Sequence, residues 1–295
     1  MTVARVLGEA RRIVVLSPHF DDAVLAIGAL VAGCVESGRT VRVVTVFSAG
    51  GTGISAGGRG KAFADYDSRR REDDRALALL GVEARRLGLH ERIFRAPAPH
   101  GPLSLFHTSR AIAYSPDTAA VHRAIVAEQR EDGTIVLAPL GIGNHIDHVI
   151  TATAALRAAR DPARAARMLF YEDFNALAEC CRRRHPVARL RPFAFRSAPG
   201  WASPRAGLEL ETMSLLIRGP DAAELAGLPV GPGRWTATAL PVSRRHAEAK
   251  FAAMAEYRTQ TAALGGARQL RALMERAHAR RGGELVWQFH GTDSA

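Results

Sequence analysis

Two short clusters in the 295-residue chain combine imidazoles and carboxylates in a way that suits metal and acid–base chemistry: Pro18-His19-Phe20-Asp21-Asp22 and Asn144-His145-Ile146-Asp147-His148. Catalytic zinc sites take three protein ligands of this kind and keep a fourth position open for water. His19, one of the two aspartates and one of the later histidines make such a set. Cysteine is absent from both clusters, which points to chemistry rather than to a structural zinc. Asp21 and Asp22 are neighbours, and adjacent side chains in an extended segment face different ways. One carboxylate is therefore expected on the ion and the other on the water. The plainer reading of either aspartate is a helix N-cap. His145 and His148 lie three residues apart, a spacing that lets both reach one cavity from a single helical turn.

The elements that would position these clusters are legible around them. Arg12–Ser17 (RIVVLS) is a short apolar run of the buried-strand type and ends at Pro18. A helix is predicted from Asp22 to Ser37, with a second strand over Thr40–Phe47, giving a βαβ unit. Further helices are expected over Asp67–Gly81, Asp117–Gln129 and Asp147–Arg160, with strands over Thr134–Ala138 and Met168–Tyr171. Each cluster thus follows a strand and precedes a helix, and open α/β sheets bind ligands at the carboxyl ends of their strands. The fold class is α/β: a Rossmann-like, doubly wound, mostly parallel sheet with helices on both faces and an elaborated C-terminal third. One domain over 1–295 is expected, with its core at about 10–175 and the elaboration at 176–295. In the latter, Leu208–Ile217 reads as a strand pair and Ser243–Tyr257 as a helix capped by its serine. The loops Ser48–Gly60 and Leu89–Ser115 are expected to wall a substrate cleft, with Phe94, Phe106, Trp201 and Trp235 as candidate surfaces for a sugar ring. His100 and His107 are not expected among the ligands.

Composition narrows the classes. Apolar residues are 47% and charged residues 23%, values that argue against a disordered or fibrous chain. The net charge of +11 is almost wholly arginine, since Lys61 and Lys250 are the only lysines. No basic run is interleaved with aromatics, so a nucleic-acid partner is not expected. No apolar stretch reaches the ~20 residues of a membrane span. The opening residues lack a secretory signal's apolar core, so a cytoplasmic protein is expected. Cys34, Cys180 and Cys181 match no disulfide or zinc-knuckle spacing.

SPHFDDAVL at Ser17–Leu25 and GNHIDH at Gly143–His148 resemble the signatures of the PIG-L/LmbE-type zinc-dependent N-deacetylases, a strand followed by (P/A)-H-x-D-D and a later H-x-D-H. Supporting landmarks are Arg69-x-x-Glu72, Tyr171-Glu172-Asp173-Phe174 and Lys250…Tyr257-x-x-Gln260, in the family's order. The resemblance implies a Rossmann-like fold and hydrolysis of an N-acetyl group from an amino sugar or its glycoconjugate, with one Zn2+ per chain. It implies His19, Asp22 and His148 as metal ligands and Asp21 as general base. His145 is implied as the oxyanion stabiliser, Asp147 as the carboxylate that orients a histidine, and Arg69 as a substrate-hydroxyl contact. Many relatives carry Pro at Phe20 and Glu at Ala23; PHFDDA resembles the branch acting in antibiotic or other specialised metabolism.

On that basis the mechanism has Asp21 take the proton of an attacking water and a protonated His145 face the oxyanion, with either His145 or Asp21 protonating the leaving amine. Two other classes use related residues: a metal-dependent phosphoesterase, and a non-catalytic sugar- or nucleic-acid-binding module on the same fold. The first needs a bridging carboxylate and more ligands than the two clusters supply. The second needs a degenerate site.

Overall fold

Arg12–Ser17 is buried along its whole length, the condition of a strand covered on both faces, and it forms the centre of the sheet. In the computed structural model, which describes residues 2–50, 65–96, 105–106, 110–177, 185 and 235–290, the strands are β1 (Arg12–Ser17), β2 (Thr40–Thr45), β3 (Glu83–Arg86), β4 (Thr134–Pro139), β5 (Met168–Tyr171), β6 (Trp235–Leu240) and β7 (Glu284–Phe289). They form a single sheet in the order β3-β2-β1-β4-β5-β7-β6. The first five are parallel, and β7 and β6 continue the sheet antiparallel beyond β5.

The main helices are α1 (Val3–Glu9), α2 (Asp22–Glu36), α3 (Tyr66–Leu79), α4 (Pro116–Glu128), α5 (Ile146–Ala159), α6 (Arg244–Glu256), α7 (Arg258–Ala263) and α8 (Ala267–Arg281). Alternate β1 side chains enter opposite layers. Val14 and Leu16 pack in one core with Val121 and Ile125 of α4 and Val149 of α5, whereas Ile13 and Val15 pack in the other with α1, α2 and Leu77 of α3. The doubly wound architecture expected from the sequence is the observed one. A third cluster, of Leu25, Phe174, Phe251, Leu270 and Leu273, ties the C-terminal helices to α2. Among the described residues, no helix is long and apolar enough to cross a membrane.

The strand order fixes where a site can form. From β1 the chain winds outward through β2 and β3 and then returns to place β4 against the other side of β1. The crevice at the carboxyl ends of β1 and β4 is the switch point at which such sheets bind ligands, and both clusters sit on those ends.

The structure also contains elements absent from the sequence reading: α1, β3, β6 and β7. β3 is an exposed edge strand of sequence EARR and carries no apolar alternation. The expected strand pair at Leu208–Ile217, the Cys180-Cys181 pair, His100, His107 and Trp201 lie outside the described residues, as do parts of both expected cleft loops.

Candidate active site

The turn after β1 is shaped by Ser17, whose hydroxyl donates to the His19 carbonyl at 2.5 Å and accepts from the Ala23 N–H at 3.0 Å. Asp21 takes the N-cap position of α2, yet its side chain makes no capping bond. Asp22 instead accepts the His19 N–H at 2.8 Å through Oδ2. Helix capping therefore does not account for the Asp21 carboxylate, which is buried beside Asp22.

The turn after β4 needs unusual backbone. Gly143 has φ of +98°, and a Cβ there would lie 2.9 Å from Asn175 Nδ2. Asn144 follows at φ of +58°, a region Asn tolerates better than most residues. This turn delivers His145 to the N-cap of α5, where its Nδ1 accepts the Asp147 N–H at 3.3 Å. An Nδ1 acceptor leaves the proton of the neutral ring on Nε2.

The two turns converge. Asp22 Oδ2 lies 3.2 Å from His19 Nδ1 and 3.2 Å from His148 Nε2. With Zn–N and Zn–O bonds of about 2.0–2.1 Å, the ligand-to-ligand edge of a tetrahedral site is ~3.3 Å. Both Asp22-to-imidazole distances match that edge. The far nitrogen of each imidazole meets a carboxylate: His19 Nε2 lies 3.1 Å from Asp147 Oδ2, and His148 Nδ1 lies 2.7 Å from Asp173 Oδ1. Carboxylates in this position fix the tautomer and orientation of metal-binding histidines. They are held in turn, Asp147 by the Arg92 N–H at 3.0 Å and the Arg95 guanidinium, and Asp173 by the Ile142 N–H at 2.8 Å.

Among the described residues, the groupings whose donor atoms all lie within 4.8 Å of one another are His19, His145 and His148, and His19, Glu91 and Asp147. In each, some donors already have partners. The Nδ1 of His145 is taken by a backbone N–H, and Glu91 and Asp147 already face Arg69 and Arg95.

The electrostatics follow from burial and the carboxylates. Burial opposes charge on His148, but Asp22 and Asp173 outweigh it and raise its pKa to about 10. His19 is raised in the same way by Glu91, Asp147 and Asp22 against its own burial. Burial, then the neighbouring Asp22 charge, lifts Asp21 to about 7. His145 is pushed down to about 4, chiefly by burial, with the His19 and His148 charges adding to the effect. Burial thus favours a neutral His145 with its proton on Nε2.

Arg69 is 2% exposed, which excludes a solvated helix face. Its Nη1 donates to Glu91 Oε2 at 2.9 Å, and its guanidinium lies 4.9 Å from the Tyr66 ring centroid. Glu91, which also receives the Tyr66 hydroxyl, went unmarked in the sequence because nothing local distinguishes it within an irregular loop. Asp173 was visible only as part of a landmark. Of the four aromatic candidates, Phe106 lies edge-on to His145 with centroids 5.6 Å apart, and Phe94 packs on Tyr66. Trp235 is no sugar platform: it lies in the core between Phe170 and Phe289. Two side chains of the C-terminal stretch clamp α3. Tyr257 donates to Asp73 at 2.9 Å, and Thr259 to Glu72 at 2.6 Å.

The family model of PIG-L, GlcNAc-PI de-N-acetylase, matches residues 14–159, the stretch that carries both turns. The chain belongs to the PIG-L family. No curated protein matches it significantly. Solved structures with the same fold include a deacetylase of the teicoplanin biosynthesis pathway in complex with bog, at 22% identity and a TM-score of 0.64, covering 96% of this chain and 100% of that one. The zinc inhibited form of teicoplanin deacetylase Orf2 gives 22% and 0.62, covering 96% and 100%. The A40926 pseudoaglycone deacetylase Dbv21 gives 22% and 0.61, covering 97% and 100%.

Proposed function

We propose that this PIG-L family protein is a zinc-dependent N-deacetylase that removes the acetyl group from an N-acetylated amino sugar, carried on a glycoconjugate of specialised metabolism. The observation that carries the reading is the pair of 3.2 Å approaches of His19 and His148 to Asp22, with Asp21 buried beside them and free of any capping bond. Relatives of the same fold are deacetylases of the teicoplanin and A40926 pathways, and one was crystallised in a zinc inhibited form.

His19, Asp22 and His148 would hold one divalent ion per chain. When bound, such an ion polarises an amide carbonyl and lowers the pKa of water toward ~7. The chain's own groups supply the rest. Asp21 accepts the proton of the attacking water. His145, with its proton on Nε2, donates to the carbonyl oxygen as negative charge develops there. Asp21 then returns its proton to the departing amine nitrogen, so that one carboxylate acts as base and then as acid. Asp147 and Asp173 hold the two imidazoles in register. Arg69 faces Asp21 from the Glu91 pair, where its positive charge steadies the carboxylate.

The test is to strip the purified protein with a chelator, reload it with zinc and offer it N-acetylglucosaminyl glycopeptides, N-acetylated aminoglycosides and thiol-sugar acetamides. Mass spectrometry is expected to show one of these losing an acetyl group, with acetate released, only in the zinc-loaded sample. Turnover that survives chelation refutes the metal assignment. A zinc-loaded protein that releases acetate from none of the three classes, yet hydrolyses a phosphate ester, refutes the reaction class.

A further inference from the structure

Behind the site, α2 is interrupted. Ile27 leaves the helical region at φ −131° and ψ 26°, one turn after Asp22. In a continuous helix the Leu30 N–H would donate to the Ala26 carbonyl. Here Glu284 Oε2 accepts that N–H at 2.7 Å, and its Oε1 accepts the Ala29 N–H at 3.2 Å. Lys250 Nζ donates to the Ala26 carbonyl at 3.2 Å and to Glu284 Oε1 at 2.7 Å. A buried ion pair between α6 and β7 thus binds the Ala26 carbonyl and the Ala29 and Leu30 N–H groups of α2 around the interruption. Side chains inserted into the i→i−4 ladder are a recognised cause of helix kinks. Gly28 makes room for the insertion, since a Cβ there would lie 2.9 Å from Lys250 Cγ.

We infer that Lys250 and Glu284 are positioning residues: by holding α2 open at Ile27 they set the direction of the single turn that carries Asp21 and Asp22 toward His19 and His148. The inference rests on the proposed metal site and extends it to two residues that touch neither ion nor substrate. Stability alone does not account for the pair, because replacing a buried ion pair with apolar residues is often neutral or stabilising. What an apolar pair cannot do is satisfy the Ala26 carbonyl and the Leu30 N–H apart from each other. Without the charges, those groups would rejoin and the first turn of α2 would swing.

Two variants test this. Lys250→Met with Glu284→Leu removes both charges, and Gly28→Ala keeps both while pushing the Lys250 stem away from Ala26. Thermal unfolding, zinc affinity by chelator competition and amide exchange at Ala29 and Leu30 are measured on each. Both are expected to fold and to bind zinc about 10–100-fold more weakly than wild type, the range typical of lost support around a metal site. Exchange at the two amides is expected to change in step. Folded variants whose zinc affinity matches wild type overturn the inference while leaving the metal site in place. A wild-type protein that binds no divalent ion overturns the proposed function, and this inference with it.

Discussion

Asp173→Asn isolates the support that fixes the His148 tautomer. In the native protein Asp173 Oδ1 sits 2.7 Å from His148 Nδ1, and Oδ2 accepts the Ile142 N–H at 2.8 Å. With the carboxylate accepting at both places, the neutral ring keeps its proton on Nδ1 and leaves the Nε2 lone pair for an ion held beside Asp22. An amide has one acceptor and one donor end, so it satisfies only one of the two contacts. With its oxygen on the Ile142 N–H, the NH2 faces Nδ1 and drives the ring proton to Nε2, where it blocks coordination. Turned over, it sets two donors against each other in a buried site, at a cost of roughly 1–3 kcal/mol. Either orientation is expected to weaken zinc binding by about 10–100-fold, or ~1.4–2.7 kcal/mol. Asp173 also helps to hold the His148 proton that zinc must displace. Its loss eases that competition, so the deficit is expected to be largest at high pH, where protons compete least. Competition against a chromophoric chelator across a pH series measures both effects. Affinity indistinguishable from wild type at high pH would refute the tautomer argument.

Three further outcomes are expected. Asp21→Asn should retain zinc affinity while kcat falls by about 10²–10⁴-fold, the usual range for loss of a general base, and near-normal turnover would remove the assignment. Zinc binding at neutral pH should release protons from His19 and His148, whose pKa values their carboxylates hold above the ordinary range. Affinity should therefore climb with pH until His148 deprotonates near 10, and calorimetric heats that do not vary with buffer ionisation enthalpy would contradict this. Tyr257→Phe removes a buried 2.9 Å bond to Asp73 and should destabilise the fold by ~1–3 kcal/mol, read as a fall in Tm, with kcat unchanged.

How much of this was legible in the sequence depends on where each signal resides. β1, β4 and β5 are fully buried, so their apolar runs announced them, with boundaries within a residue of those observed. β3 has no such signal because it is an edge strand. Its Glu83 bonds Arg42 and its Arg86 bonds Asp73 and Asp74, side-chain contacts that propensity does not record. β7 is apolar but opens on Glu284, a residue whose burial makes sense only once Lys250 and the opened turn of α2 are beside it.

The site divides along the same line. The imidazoles and carboxylates of the two turns were legible because each cluster is contiguous, and a strand-end position gives such clusters a reason to exist. Their orientation is not a local property. His19, from the turn after β1, is held by Asp147 from the turn after β4, and His148 is held by Asp173 from the end of β5, 25 residues further along the chain. Asp22 closes the arrangement by approaching both rings. The candidate metal site is therefore braced by contacts between three strand ends, not within any one of them. It follows that a change in the relative placement of β1, β4 and β5 would misalign both imidazoles together, so variants at these contacts should show coupled rather than additive losses of zinc affinity. A double-mutant cycle between Asp147 and Asp173 measures that coupling. Strict additivity would mean that the two imidazoles are held independently and that the strand ends do not act as one frame.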